Sequence, residues 1–499
     1  MAKRKRNNKP PADAAAASKK QAAGTGIRTP PYEDTHVEPT IASAVVSTED
    51  LEITVETLQT LTAHPSVIKS KTCKDVRTAV FNFRHACTTG QNAVEGNSLT
   101  ARISAALSDT KFTDARVLLA EMRIRNETPS LGALCRWVRA LDVISGLAIH
   151  VEPSTMTVAG LSSPRDQELR QVLDAVLRVT GPTDPTPINI TAEPGTIALQ
   201  STWDLRERQT PTRLTRASVE DGSIFKSCPP SLKNKFRIVE TTSGAQRKPP
   251  NLHPAVLFAS QNATIPLDNG PKTTSVHKHP IVPNLRLIKD VLSPEECSSM
   301  IAAGETMGFI PDAPIRQDED TSILAHNFYW IVDQVFHDRL WERVSPFVPE
   351  SVTGRQVRGV NRRFRVYRYV PGAEYRCHID GAWPPSGLDP ITDTYQYDAS
   401  PPHALQSSLY TFLIYLNDDF RGGETTFFLP SGGREGVITA YPVQPIMGSV
   451  AVFPHGEAKG ALLHEGTGVV EGTKYVIRTD VEYDVDVGVD SAGGGGGGL

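Results

Sequence analysis

Between residues 112 and 141 the apolar side chains return at steps of three and four. Phe112, Ala115, Leu118, Leu119 and Met122 make one stripe, Glu127-Thr128-Pro129-Ser130 interrupts it, and Leu131, Leu134, Val138 and Leu141 make a second. That spacing lays each set on one face of a helix, so the segment predicts two helices joined by a short proline turn. Helical patterning extends over residues 46–195, with no second copy at a fixed period to support a solenoid. Residues 196–276 are rich in Thr, Pro, Arg and Ser with few apolar runs, which predicts an extended linker. In IVPNLRLIKDVLSPEECSSMIAAGETMGF a short strand gives way to a helix: Ser293 is placed to cap it, Pro294 takes the first turn and Glu296 completes a capping box. Beyond residue 355 the period shortens to two. RFRVYRY, SLYTFLIYL, ETTFFL, SVAVF, ALLHE and KYVIRTDVEY read as strands between Gly/Pro turns. The expected fold class is α+β: a separate N-terminal all-α domain, then a double-sheet jelly roll flanked by helices over residues 277–484.

Composition and charge refine that picture at the ends of the chain. Residues 1–45 are Ala/Lys/Pro/Thr-rich without periodicity and predict a disordered basic arm, while residues 485–499 close in a flexible glycine-rich tail. Net charge is only −4. Yet Lys3, Arg4, Lys5, Arg6, Lys9, Lys19, Lys20 and Arg28 face the single acid Asp13 in the first 30 residues, so the remainder is acidic. An acidic body argues against a body-wide nucleic-acid surface and leaves the arm as the one place for such binding. Its KRKR run suits a nuclear import signal, a phosphate-binding arm or a solvated tail. No stretch approaches the roughly 18 apolar residues of a membrane span, and MAKRKRNNKPP leads to no apolar signal segment. The expectation is a nuclear or cytoplasmic protein, not a secreted one. Six widely spaced cysteines without a C-x-x-C pair exclude a dense disulfide framework and a thiolate zinc ribbon.

The segment YRYVPGAEYRCHIDG contains His378-Ile379-Asp380. On a strand, residues i and i+2 share a face, so this histidine and aspartate can reach one centre while Cys377 turns away. A lone His-x-Asp arises by chance in a chain of this size, and His-x-Glu decoys stand at His36, His150 and His455. The segment HEGTGVVEGTKYVIRTDVEY supplies a further histidine, His464. Two imidazoles and a carboxylate on a rigid β scaffold form the facial triad of non-haem Fe(II) oxygenases, with adjacent positions left open. Without thiolates the set suits iron better than a structural zinc site. A 2-oxo acid cosubstrate would need a cation for its far carboxylate. Lys474, ten residues after His464, and Arg478 share one strand face, and either can serve. His403, in the Pro-rich loop, is expected to face solvent.

Taken together, VLSPEEC, YRYVPGAEYRCHIDG, LIYLNDDFRGGETTFF and HEG…GTKY…RTDVEY resemble, in that order, the prolyl 4-hydroxylase branch of the Fe(II)/2-oxoglutarate-dependent dioxygenases. The resemblance covers residues from about 280 to 484; the helical region and basic arm lie outside it. It implies a double-stranded β-helix in which His378, Asp380 and His464 are the iron ligands and the catalytic centre. It also implies that Lys474 pairs with the distal carboxylate of 2-oxoglutarate, and that Tyr369 and Tyr415 line the cosubstrate pocket with Thr411 on the same strand face as Tyr415. The cofactors implied are Fe(II), 2-oxoglutarate and L-ascorbate, and the reaction is hydroxylation of a C–H bond with release of succinate and CO2. The substrate implied is a protein or peptide side chain such as proline. The rival readings are oxidation of a nucleic-acid base or small metabolite on the same scaffold, and a helical binding scaffold carrying an inactive oxygenase domain. The long loop over residues 381–406 is expected to carry substrate contacts, since loops between rigid strands usually do.

Overall fold

A computed structural model of the chain describes residues 47–89, 98–147, 163–186, 192–226, 228–242, 256–270, 273–311 and 325–485. The basic arm with its KRKR run, His36, His150 and the glycine-rich tail from residue 486 lie outside the described residues. The chain divides into two compact units, residues 1–81 and 82–499. In the first, the Ser47 hydroxyl caps the helix Thr48–Thr62 by accepting from the Asp50 amide. A single turn, Pro65–Ile68, follows with proline at its start, where a missing N–H costs nothing.

The second unit opens with four helices, Leu99–Ser108, Phe112–Ile124, Leu131–Leu141 and Pro164–Thr180. Ala115, Leu118, Leu119 and Met122 are buried on one of them and Leu134, Val138 and Leu141 on the next, the faces the three-and-four spacing marks out. Ser130 caps the third helix and Asp142 ends it in the left-handed region. Trp137 donates from its indole nitrogen to the Ser104 hydroxyl at 2.8 Å, satisfying a buried donor.

Eight of the strands that follow build the two main sheets, in chain order: β1 Arg363–Tyr369, β2 Tyr375–His378, β3 Gln406–Tyr415, β4 Thr425–Pro430, β5 Ile438–Val443, β6 Val450–Pro454, β7 Leu463–Gly466 and β8 Lys474–Asp484. One sheet runs β1-β8-β3-β6 and the other β5-β4-β7-β2, antiparallel throughout. The first sheet is extended at both edges. Strand Arg286–Lys289 pairs with β6 and strand His326–Ile331 with β1, and Val256–Ser260 and Phe236–Thr241 continue outward from the latter. Strand Ile197–Leu199 runs parallel to β5 at the edge of the second sheet. Residues 196–276 thus add strands to both sheets, together with the helix Leu214–Glu220. The whole is a mixed α and β structure with large sheets.

The three larger apolar cores among the described residues follow from side-chain alternation. Tyr367, Tyr369, Tyr415, Phe453 and Val476 of one sheet meet Phe427, Leu429, Tyr441 and Val443 of the other. On the outer face of the first sheet, Phe364, Val366, Phe412, Ile414 and Ile477 pack with the helices Pro294–Met307 and Gln334–Val344. On the outer face of the second, Cys377, Phe428, Ile438 and Leu463 share a single cluster with the four opening helices. Helix Pro294–Met307 starts as its sequence dictates. The Ser293 hydroxyl accepts from the Glu296 amide, Glu296 accepts from the Ser293 amide, and Pro294 occupies the first turn.

Candidate active site

Strand pairing brings His378 and His464 together. The two are register partners on the neighbouring strands β2 and β7, their rings 4.2 Å apart between centroids. Asp380 lies just past the end of β2, with Oδ1 3.6 Å from His378 Nε2 and Oδ2 3.5 Å from His464 Nε2. One ligand atom from each of the three falls within 4.8 Å of the others. Among the described residues this is the group of His, Cys and carboxylate side chains that can hold a metal ion.

The surroundings fix how each donor points. His378 Nδ1 lies 2.8 Å from the Arg376 carbonyl oxygen and His464 Nδ1 3.1 Å from that of Leu462. A carbonyl only accepts, so Nδ1 carries the proton in both rings and Nε2 offers its lone pair to the shared centre. Burial pushes both imidazoles below the ordinary histidine range, and for His378 the neighbouring His464 adds to the effect. Burial alone would raise the Asp380 carboxyl, but the Arg478 guanidinium, with Nε 3.3 Å from Oδ1, outweighs it and holds the acid ionised. Thr411 Oγ1 donates to Asp380 Oδ2 at 2.7 Å. Two neutral nitrogens and one anionic oxygen are a donor set suited to ferrous iron.

Lys474 reaches the same cavity from β8, together with Tyr369, Thr411, Val476 and Arg478. Its side chain is 2% exposed, and Nζ donates to the Gly423 carbonyl at 2.7 Å. Burial pulls the ammonium down to about 8, against the pull of Glu424. The tight turn that presents this carbonyl needs glycine. Gly422 and Gly423 have φ of +72° and +70°, and a Cβ on Gly422 would stand 2.4 Å from the Gly468 carbonyl oxygen. The Tyr369 and Tyr415 rings lie 5.2 and 5.9 Å from Nζ. Tyr415 stands at the edge of the group and donates its hydroxyl to Thr425 Oγ1 at 2.8 Å.

The other candidates fall outside the three-residue centre. His455 is buried behind it, with Nε2 2.8 Å from Ser408 Oγ and Nδ1 2.8 Å from Thr411 Oγ1. His403 is exposed. Cys377 turns away from the centre into the cluster shared with the helices. Arg478 does stand in the site, paired with Asp480 Oδ1 at 3.0 Å as well as with Asp380.

Sequence reading missed the second opening of this site. A cleft of about 230 Å³ on the far side of His378 and Asp380 is walled by Tyr329, Arg363, Tyr375 and Trp383, and by Cys135, Arg139 and Asp142 of the helical region. Strand alternation could have flagged Arg363, which is in step with Arg365, Tyr367 and Tyr369 along β1. Nothing in the helical sequence marks Arg139.

Residues 364–479 match the family model of the 2OG-Fe(II) oxygenase superfamily. No curated protein matches the chain. Among solved structures, the chain is similar to the viral collagen prolyl hydroxylase of Paramecium Bursaria Chlorella virus-1, at 19% identity over 41% of this chain and 97% of that one, with a TM-score of 0.27. A Pseudomonas putida prolyl-4-hydroxylase matches at 13% identity over 41% of this chain and 94% of that one, with a TM-score of 0.25. An oxidoreductase of the 2OG-Fe(II) oxygenase family from Burkholderia pseudomallei matches at 12% identity over 43% and 73%, with a TM-score of 0.18. The matched segment carries β1 to β7 and the start of β8, so it is the C-terminal region of this chain that is similar to the 2OG-Fe(II) oxygenase superfamily.

Proposed function

We propose that residues 277–484 form a double-stranded β-helix dioxygenase domain that hydroxylates a C–H bond of a protein side chain, proline first among them. Residues 46–195 are its helical companion. The observation that carries this reading is the meeting of His378, Asp380 and His464 within 4.8 Å, with Lys474 in the same cavity. The strand orders β1-β8-β3-β6 and β5-β4-β7-β2 support the β-helix assignment, and the ordered sequence resemblance supports the prolyl substrate. The full set of ligands weighs against an inactive domain.

His378, Asp380 and His464 would hold Fe(II), and Lys474 would pair with the distal carboxylate of 2-oxoglutarate. Iron and 2-oxoglutarate, when bound, supply oxygen activation coupled to oxidative decarboxylation, with succinate and CO2 released and the substrate hydroxylated. The chain supplies position, charge and dryness. The Arg376 and Leu462 carbonyls keep the imidazoles in one tautomer. Arg478 and Thr411 keep the Asp380 carboxylate ionised and aimed. Tyr369, Phe453 and Val476 keep the cosubstrate end apolar, so the ammonium of Lys474 acts on its partner with little screening. Ascorbate is the accompanying reductant for iron oxidised in idle turnover. Residence in the nucleus or cytoplasm accompanies the reading, the basic arm being the candidate address.

The test is succinate formation from 2-oxoglutarate with Fe(II) and ascorbate, alongside direct measurement of bound iron. His378→Ala is expected to abolish both. Lys474→Ala is expected to keep iron but to raise the 2-oxoglutarate requirement by at least about tenfold, as loss of a buried ion pair demands. A wild-type chain that binds no iron ends the proposal, and iron lost with Lys474→Ala shows that its role is misassigned.

A further inference from the structure

We infer that the cleft beside the metal centre selects peptides bearing a carboxylate next to the residue to be oxidised, and that the helical region supplies half of this selection through Arg139. The inference rests on the oxygenase reading above for the chemistry, but not for the binding. Its basis is the charge left over in the cleft. Arg376 Nη1 pairs with Asp142 Oδ2 at 2.8 Å, and Arg478 lies 3.3 and 3.0 Å from Asp380 and Asp480. Both of these guanidiniums are ion-paired with carboxylates. Arg363 is different. It lies over the Tyr329 ring at 4.5 Å and the Trp383 ring at 5.0 Å, so its plane is held, yet its buried Nε has no hydrogen-bond partner. Neither Arg363 nor Arg139 makes an ion pair with a carboxylate among the described residues. Both line the cleft that His378 and Asp380 close at its base.

The two stand on different walls. Arg363 is on β1 and Arg139 on the helix Leu131–Leu141. That helix is tied to β2 where the ligands begin: Cys135 Sγ donates to the Ile379 carbonyl at 3.5 Å, and Asp142 receives Arg376. Its position relative to the metal centre is therefore fixed by direct contacts. A planar guanidinium stacked on aromatic rings presents a fork that matches one carboxylate. Tyr375 and Trp383 line the same cleft and suit a peptide's apolar parts. A polynucleotide is disfavoured, because the body of the chain is acidic.

The experiment uses the full chain and three fluorescent peptides identical but for the residues flanking a central proline, which are Glu, Gln or Lys. A single-stranded DNA oligomer serves as competitor, and binding is read by anisotropy. The Glu peptide is expected to bind at least about tenfold more tightly than the Gln peptide. Arg363→Gln should erase the difference, and Arg139→Glu should shift the preference toward the Lys peptide, an inversion that mere loss of packing would not produce. Arg136→Glu, exposed on the same helix and outside the cleft, is the control and should leave the preference intact. Equal binding of the Glu and Gln peptides, no binding of any peptide, or displacement of the Glu peptide by the DNA overturns the inference. Succinate formation without peptide separates the two readings. A chain that makes succinate but ignores the flanking charge refutes this inference alone. One that sorts the peptides yet binds no iron refutes the oxygenase reading alone.

Discussion

Lys474 shows how burial turns an ordinary side chain into a tuned one. Its single fixed acceptor is a backbone carbonyl, and its ammonium sits at about 8 because desolvation outweighs the attraction of Glu424. The sign of the consequence follows. Below pH 8 the lysine is charged and ready to meet a carboxylate, and above it the charge is lost in the free protein. Affinity for 2-oxoglutarate is therefore expected to be level below pH 8 and to fall by roughly tenfold per pH unit above it. Calorimetric titration across that range checks this. Lys474→Arg, whose guanidinium does not titrate there, should flatten the profile. A wild-type profile already flat would move the role to Arg478. The residue pattern showed both cations on one face of β8. What it could not show is that Arg478 is already engaged by Asp380 and Asp480, since those contacts depend on how β2 and β8 lie across the cavity.

At the scale of an element, the helix Pro294–Met307 was legible down to its cap, because a capping box involves only neighbours in the chain. Its first turn does more than start a helix. Glu296 also accepts from the Asp268 amide and pairs with Arg343 at 2.8 Å, and both partners of that pair are nearly fully buried. Ser293→Ala is expected to cost about 1 kcal/mol. Glu296→Ala should cost more, about 3 kcal/mol, because among the described residues it leaves the buried Arg343 guanidinium with only the partly exposed Asp268 carboxylate as its anionic partner. Denaturant unfolding of the two variants checks the order. Iron affinity should be unchanged in both, because this helix packs on the face of the first sheet opposite the metal centre. Strands β1, β3, β4, β6, β7 and β8 were legible for a similar reason, as apolar runs between Gly/Pro turns that can be read locally, whereas β5 was not read, being buried along its whole length with no alternation to mark it. The strands within residues 196–276 were not. They are short and gain their place only from the edges they join.

The largest consequence is visible in the molecule as a whole. The four helices over residues 99–180 and the outer face of the second sheet share one apolar cluster, so the helical region and the metal centre stand on common support. Ser145 donates to Glu465, the neighbour of His464, at 2.7 Å across the same junction. Leu134 lies at 0% exposure in this cluster. Leu134→Ala is expected to destabilise the chain by about 2–5 kcal/mol. It should also lower the midpoint for loss of iron binding by the same amount as the midpoint for loss of helix. Circular dichroism and iron release followed on one thermal ramp check this. Two separate transitions, with the site outliving the helices, would show that the shared cluster does not couple them. Among the described residues no helix is long and apolar enough to cross a membrane.

The amino-acid sequence by itself determined the elements and the ligand types. Helical stripes, capping residues and strand alternation are local, and His378, Asp380, His464 and Lys474 stand in segments whose order and spacing are distinctive. Tertiary structure alone decided who meets whom. Pairing of β2 with β7 set the two histidines side by side, the approach of β8 gave Asp380 its guanidinium, and docking of the helix Leu131–Leu141 beside β2 put Arg139 over the cleft. Such meetings depend on side chains that are hundreds of residues apart in some cases and that show no mutual periodicity. No rule of spacing along the chain can report them.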